Sequence, residues 1–278
     1  MNQHTLKQLH NVEVEILDEI VRICEKHNLH YYLVGGTLLG AARHKGFIPW
    51  DDDLDIGMPR DDYQKFESIC KVELGDDFYV HSYETDKDYW LPFIKVRKSK
   101  TVFDEALLDD TEVEMNGIWV DIFPLDKVSS LDSWGKRQRT KIIKTHLQHF
   151  ISYKKHHQWP QPIVSKIIYA LLMPMSLRTL RKIQDFFMMW ENKKDCKYYM
   201  NYGSQYNPIK QTILKTDYEP TCMIEFEGKM YMAPGNYKNV LTRIYGESYM
   251  ELPPMEKRVT HRPLRISFDT TGPDAPLD

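Results

Sequence analysis

Residues 31–63 read YYLVGGTLLGAARHKGFIPWDDDLDIGMPRDDY, and short strand-like and helix-like patterns alternate along them. His30–Val34 (HYYLV) is a β-prone run ended by Gly35-Gly36. Thr37–His44 reads as a short helix, Asp51–Met58 as a strand of alternating acid and apolar residues, and Asp61–Leu74 as a second helix with Asp61 near its start. Upstream, Leu9, Val12, Ile16 and Ile20 recur at helical spacing, which predicts an amphipathic helix over Leu6–His27 with Asn28 as its C-cap. Downstream, Pro92–Arg97 and Gly117–Phe123 are further strand candidates. Helices placed between strands in this order predict an α+β (α/β mixed) fold, a small mixed sheet flanked by helices.

The acidic strand carries the first chemical signal. In a strand, side chains alternate between faces, so Asp51, Asp53 and Asp55 share one face while Leu54 and Ile56 point to the other. Three carboxylates on one face repel each other and gain nothing from a core. A divalent cation resolves the conflict, and an all-oxygen donor set suits Mg²⁺ or Mn²⁺. A solvated acidic edge is the competing explanation. Asp121 sits inside the apolar run WVDIF and is a candidate third acid, either as a metal ligand or as acceptor of the proton from an attacking hydroxyl. Asp126, just after Pro124, reads as a turn residue.

Val34-Gly35-Gly36-Thr37 ends one strand and opens a helix. Glycine lets the backbone approach a ligand closely, and free N–H groups at a helix start favour phosphate. Thr37 adds a hydroxyl, and Arg43 and Lys45 stand just beyond. Lys95 and Arg97 occupy alternate positions of their strand, which puts both on one face toward phosphate or sugar, or toward solvent.

Residues 131–184 hold eleven Lys/Arg against one acid, Asp132, about +10 by formal charge. The whole chain is at −3, which leaves about −13 elsewhere. The segment also contains an apolar run, Ile163–Met175, broken by Pro174. It reads as a helical insertion, either a solvated subdomain or a surface for an anionic membrane or polyanionic acceptor. Ile224–Ala233 reads as a hairpin turning at Gly228, followed by a helix Tyr237–Tyr245 capped by Asn236 and stopped at Gly246. The four cysteines form no CxxC pair, so neither disulfides nor a structural zinc site are expected, which fits a reducing cytosol. No secretory signal and no spanning helix are read.

Three ordered blocks resemble the LicD family: residues 31–63 quoted above, GIWVDIFPLD at 117–126, and FEGKMYMAPGNYKNVLTRIYGESYMELPP at 226–254. The resemblance spans about residues 10–262 and is weakest in the basic insertion. It implies a nucleotidyltransferase-like fold in which Gly35 and Gly36 match the glycine turn, Asp53 and Asp55 the metal pair, Asp121 the third acid, and Asp51 an extra acid. The implied cofactor is Mg²⁺ or Mn²⁺, as two ions, held by Asp51, Asp53, Asp55 and Asp121. Under the resemblance, residues 1–130 form the catalytic core, 131–200 the basic helical insertion, 201–265 the C-terminal part of the LicD-like domain, and 266–278 a disordered tail.

The implied activity moves phosphocholine from a CDP-linked alcohol, CDP-choline, to a sugar hydroxyl of a cell-surface glycan precursor of teichoic acid or lipopolysaccharide type. The acceptor is a glycan or lipid-linked glycan, no nucleic acid is a partner, and the site of action is cytoplasmic or peripheral at the inner membrane face. The same class acting on CDP-ribitol, CDP-glycerol or CDP-ethanolamine stays open, as does a non-catalytic nucleotide- or glycan-binding module. A DxD glycosyltransferase is disfavoured by the Gly-Gly element.

Overall fold

Strand β6 (Trp119–Val128) is buried along nearly all of its ten residues, and the main sheet is built outward from it. The computed structural model describes residues 1–104, 116–156, 163–258, 263–270 and 274–277. With strands numbered along the chain, the main sheet runs β1 (Tyr32–Leu33), β2 (Asp55–Pro59), β6, β4 (Ile94–Lys98), β3 (Phe78–His81). The C-terminal half of β6 pairs instead with β7 (Tyr198–Asn201), which pairs with β8 (Thr212–Leu214). The β2–β6 ladder is parallel and the other ladders of this sheet are antiparallel. The expected mixed-sheet α+β architecture is therefore observed.

Helix α1 (Gln3–His27) starts where the Asn2 side chain accepts from the Thr5 amide and ends at Asn28 in the left-handed region, φ 53°. Its face of Leu9, Ile16, Leu17, Ile20 and Ile23 is fully buried and packs toward β4, β6 and α3 (Arg60–Glu73). Burying each such side chain stabilises by about 1.5–3 kcal/mol. Helix α2 (Gly35–His44) begins directly after β1, so both glycines lie in its first turn. The hairpin of β9 (Cys222–Phe226) and β10 (Lys229–Ala233) turns at Gly228, φ +76°, and covers α2. The helix Tyr237–Tyr245 stops at Gly246, although the Asn236 side chain makes no capping bond.

The described residues between Trp134 and Met188 form a series of helices: α4 (Trp134–Lys141), a π-helical turn (Ile142–Gln148), α5 (His149–His156), α6 (Ile163–Leu172) and α7 (Leu177–Met188). Two small apolar clusters hold it, one shared with β6 and β7 (Val128, Ile143, Met188, Met200, Tyr202), the other internal (Leu147, Phe150, Ile151, Tyr169, Leu180). Several of its bases are engaged internally. Lys136 reaches Leu131 O and Thr212, Arg139 pairs with Glu191 at 2.6 Å, Lys144 reaches Ser204 O, and Arg181 is buried against Gln184. The +10 of the sequence is thus not all surface charge. Among the described residues, no helix is long and apolar enough to cross a membrane. All four cysteines are free.

Three expectations are corrected. The acidic strand starts at Asp55 rather than Asp51. Its partner β1 is only two residues long and turns into α2 at Gly35, φ +55°, so β1 does not extend alongside residues 51–54. Burial nevertheless alternates, with Asp51, Asp53 and Asp55 half-buried and Asp52, Leu54 and Ile56 buried. The tail expected from residue 266 is docked: β11 (Arg265–Ser267) pairs with β5 (Val102–Asp104), and Pro276 O accepts from Thr5 at 2.7 Å. Residues 271–273 and 278 of that tail lie outside the described residues.

Asp126 is not a turn residue. It lies in β6, fully buried, and receives Arg60 Nε at 2.8 Å, Arg60 Nη2 at 2.6 Å and Asn192 Nδ2 at 2.7 Å. This bidentate pair fixes the start of α3 to the sheet, and the Asn192 bond ties in the end of the helical segment. Removing one member leaves a buried charge unpaired. Asp126→Ala is therefore expected to lower the unfolding free energy by about 3–5 kcal/mol in urea titrations, and a loss below about 1 kcal/mol would contradict the pairing.

Candidate active site

The site forms where β2 leaves the first turn of α2. The parallel register puts Asp55 opposite Asp121, and the antiparallel β4–β6 register puts Lys95 opposite Asp121. The Asp121 amide donates to Leu54 O at 3.0 Å, which holds the acidic segment against β6. The Asp55 amide donates to Thr37 Oγ1 at 2.8 Å, and the Val34 amide to Asp55 O at 3.2 Å. These bonds set the carboxylates against the start of α2. A Cβ on Gly36 would stand 2.7 Å from Asp51 Oδ2, and one on Gly35 3.1 Å from Asp55 Oδ2. Only glycine leaves this space to the carboxylates, and the positive end of the helix favours them there.

Two cavities meet at this edge. The first is bounded by Gly35, Lys95, Phe93, Asp121, Trp90 and Asn201, with Gln148 contributed by the π-helical turn. The second is bounded by Gly36, Arg43, Trp50, Asp51, Tyr245, Tyr249 and the 252–254 segment. Asp53, Asp55, Gln205 and Tyr206 line both. The acids are strung along the edge, Asp121 on one side, Asp51 on the other, and the Asp53/Asp55 pair at the junction.

The electrostatics follow from the crowding. Burial, then Asp53, Asp121 and Asp51, raise the Asp55 carboxyl well above the ordinary carboxylate range, and Lys95 pulls it the other way. Lys95 Nζ is 2.9 Å from Asp121 Oδ1 and 3.9 Å from the Trp119 ring centroid. That contact is an ion pair without hydrogen-bond geometry, and Asp121 Oδ1 is buried. Tyr206 and Tyr245 approach hydroxyl to hydroxyl at 3.4 Å, and burial raises both phenols.

Among the described residues, no three His, Cys, Asp or Glu side chains converge into a ready-made metal cage. Asp51, Asp53, Asp55 and Asp121 line an edge and do not close round a point. That arrangement fits Mg²⁺, which is held by one or two carboxylates and completes its shell with water and substrate phosphate. The crowded oxygens of Asp53 and Asp55, next to a buried Asp121 oxygen with no hydrogen-bond donor, are the donor set such an ion requires.

The structure brings Gly35, Gly36, Asp51, Asp53, Asp55, Asp121, Lys95 and Arg43 to the two cavities. Arg43 Nη1 is held by Tyr249 O and Glu251 O, at 3.2 and 3.1 Å. Two expected binding residues stand elsewhere. Arg97 is buried and donates to Gly117 O at 2.5 Å and His81 Nδ1 at 3.0 Å. It therefore braces the sheet behind the site. Thr37 is buried and lines neither cavity, because its hydroxyl pins the start of β2.

Glu13 escaped the sequence reading. It lies on the buried face of α1, 2% exposed, with Oε2 lacking a hydrogen-bond partner. Burial, then Asp53, Asp52, Asp51 and Asp55, raise its carboxyl well above the ordinary range. The signal was present: position 13 lies four residues after Leu9 and three before Ile16, within the apolar stripe. Tyr206, Gln205 and Asn201 also went unread, since their cavity position depends on how the chain leaves β7.

The family model described as LicD/FKTN/FKRP, nucleotidyltransferase domain, matches residues 28–165. The chain is 31% identical to the lipopolysaccharide cholinephosphotransferase LicD of Haemophilus influenzae over 271 residues, 94% of this chain and 97% of that protein. It is 30% identical to the human ribitol 5-phosphate transferase FKRP over 118 residues, 41% of this chain and 21% of that protein. An uncharacterized Rickettsia prowazekii protein, RP689, is 29% identical over 132 residues, 41% of this chain and 44% of that protein.

The raised carboxyls give stability a definite pH dependence. A carboxyl whose folded pKa lies above its unfolded value contributes stability that is fully present below the unfolded pKa. That contribution is lost as pH rises through the folded pKa. Without divalent cation, the wild type should therefore lose stability as pH rises above the ordinary carboxylate range. Glu13→Gln removes one of the titrating groups, so its urea midpoint should fall less steeply over the same rise. Parallel slopes for the two proteins would contradict the assignment.

Proposed function

Because the chain belongs to the LicD/FKTN/FKRP family of nucleotidyltransferase-domain proteins, we propose that it is a phosphotransferase moving a phosphate-linked alcohol from a nucleotide-activated donor to a hydroxyl acceptor. The donor we assign is CDP-choline and the acceptor a sugar hydroxyl of a cell-surface glycan precursor. Near full-length similarity to a cholinephosphotransferase that acts on lipopolysaccharide supports this choice over ribitol phosphate, for which the matching relative is covered only in part. The observation carrying the reaction class is the pair Asp53/Asp55 at the junction of two cavities. Group transfer between two substrates needs both to approach one reactive edge from different sides.

In this reading the donor diphosphate lies at the first turn of α2. Amides of Gly35 and Gly36 face its oxygens, and Arg43 and Lys95 offset its charge from either side. Asp53 and Asp55, with Asp51 or Asp121, would hold Mg²⁺ or Mn²⁺, which supplies electrostatic stabilisation of the phosphoryl group and of departing CMP. Asp121 accepts the proton of the acceptor hydroxyl as it attacks phosphorus. Its Lys95 partner, 2.9 Å away, holds the carboxylate at the reacting edge. Tyr206, shared by the cavities, stands beside the reacting edge.

The test is CMP release from CDP-linked alcohols with and without Mg²⁺, in the presence of glycan acceptors. CDP-choline should be the preferred donor and chelation should stop the reaction. Preference for CDP-ribitol, CDP-glycerol or CDP-ethanolamine would keep the class and change the donor, whereas nucleotide binding without turnover on any donor would make the chain a binding module. Asp53→Asn should abolish transfer while keeping the fold. Asp121→Asn should slow transfer by about 10²–10⁴-fold and leave nucleotide binding partly intact. Wild-type turnover in either variant contradicts the mechanism.

A further inference from the structure

Helix α6 is apolar on two sides. One side packs inward: Tyr169 is buried against Phe150, ring centroids 4.7 Å apart, and Ile168 and Leu172 join the same cluster. The other faces solvent. Ile167 is 61% and Leu171 72% exposed, four residues apart and so on one stripe, with exposed Ala170 between them. The stripe runs into the turn before α7, where Met173 and Met175 are also exposed. A surface helix normally keeps its solvent face polar. The turn is not loose, because the Lys154 ammonium holds both Met173 O and Met175 O.

Charge identifies the occupant. Residues 133–184 contain no aspartate or glutamate. Arg178 and Lys182 stand one turn apart on the exposed face of α7, immediately after the apolar turn. An apolar stripe beside cations fits the interface of an anionic bilayer, and the hairpin's one acid, Asp185, lies near the end of α7 beside Arg60 and Arg181. A second copy docked face to face would bring like charges together. With ten residues in α6 and twelve in α7, neither helix can span a bilayer, so the element would lie on its surface.

We propose that the α6–α7 hairpin is a membrane-docking surface that seats Ile167, Leu171, Met173 and Met175 in the headgroup–acyl boundary of an anionic lipid bilayer. This does not depend on which donor the active site takes. Docking would bring the enzyme to membrane-held acceptors and offset the entropy of finding them in solution.

Co-sedimentation with phosphatidylcholine vesicles, with and without phosphatidylglycerol, tests it. The protein should bind the anionic vesicles, bind neutral ones weakly, and release as salt rises from about 0.1 M to about 0.5 M. The double variant Ile167→Glu/Leu171→Glu changes only exposed positions. It should unfold at the wild-type temperature and bind anionic vesicles at least about tenfold more weakly. A Leu171→Cys protein carrying an environment-sensitive dye should shift its emission to the blue on anionic vesicles. Absence of binding to anionic vesicles, an unshifted dye, or undiminished binding by the double variant would each overturn the proposal. So would a wild-type dimer in light scattering that the double variant abolishes, since the face would then belong to a second copy.

Discussion

The parallel ladder between β2 and β6 sets Asp55 beside Asp121, and the rest of the site is arranged around that register. Neighbouring strands lie about 4.8 Å apart, so two carboxylates in register cannot both ionise comfortably without a compensating charge. Every element around them supplies one or makes room. β4 brings Lys95 to Asp121, α2 turns its amino end toward Asp51 and Asp55, and the glycines of its first turn leave the carboxylates their space. A one-residue slip of β2 would send Asp55 to the opposite face and bring Ile56 to the cavities.

The compensation is incomplete, and this has a functional sense. Burial and mutual repulsion raise Asp55 and Glu13 well above the ordinary carboxylate range, with Lys95 the cation acting against the rise at Asp55. Under the proposed function, a bound cation would offset this excess negative charge. The cost in stability is met elsewhere, by the α1–sheet core and by the buried Arg60–Asp126–Asn192 cluster that fixes α3 and the helical segment to β6.

The helical segment is joined to the core rather than appended to it. Lys136, Arg139 and Lys144 bond to groups in the 191–212 region, and Gln148 reaches the first cavity from a π-helical turn. Such turns bulge a helix and re-aim a side chain. One segment thus does two things: its inner side closes the first cavity, while α6 keeps an apolar side toward solvent.

Much was legible in residue order. The 3.6-residue stripe of α1, the Gly-Gly helix start, the alternating acids at 51–55 and the Gly228 hairpin are local patterns, since dihedral preference and side-chain period act over a few residues. The acids therefore appear on one side in the structure even though the strand begins only at Asp55. What lay beyond the sequence concerned partners distant along the chain. Arg97 and Asp126 look like surface or turn residues until the sheet buries them against Gly117, His81 and Arg60. The end of the chain looks like a disordered tail until β11 finds β5. Whether a base is a free surface charge or a structural donor, and whether an acid is a ligand or a brace, depends on which groups the fold desolvates together, and one-dimensional order does not encode that proximity.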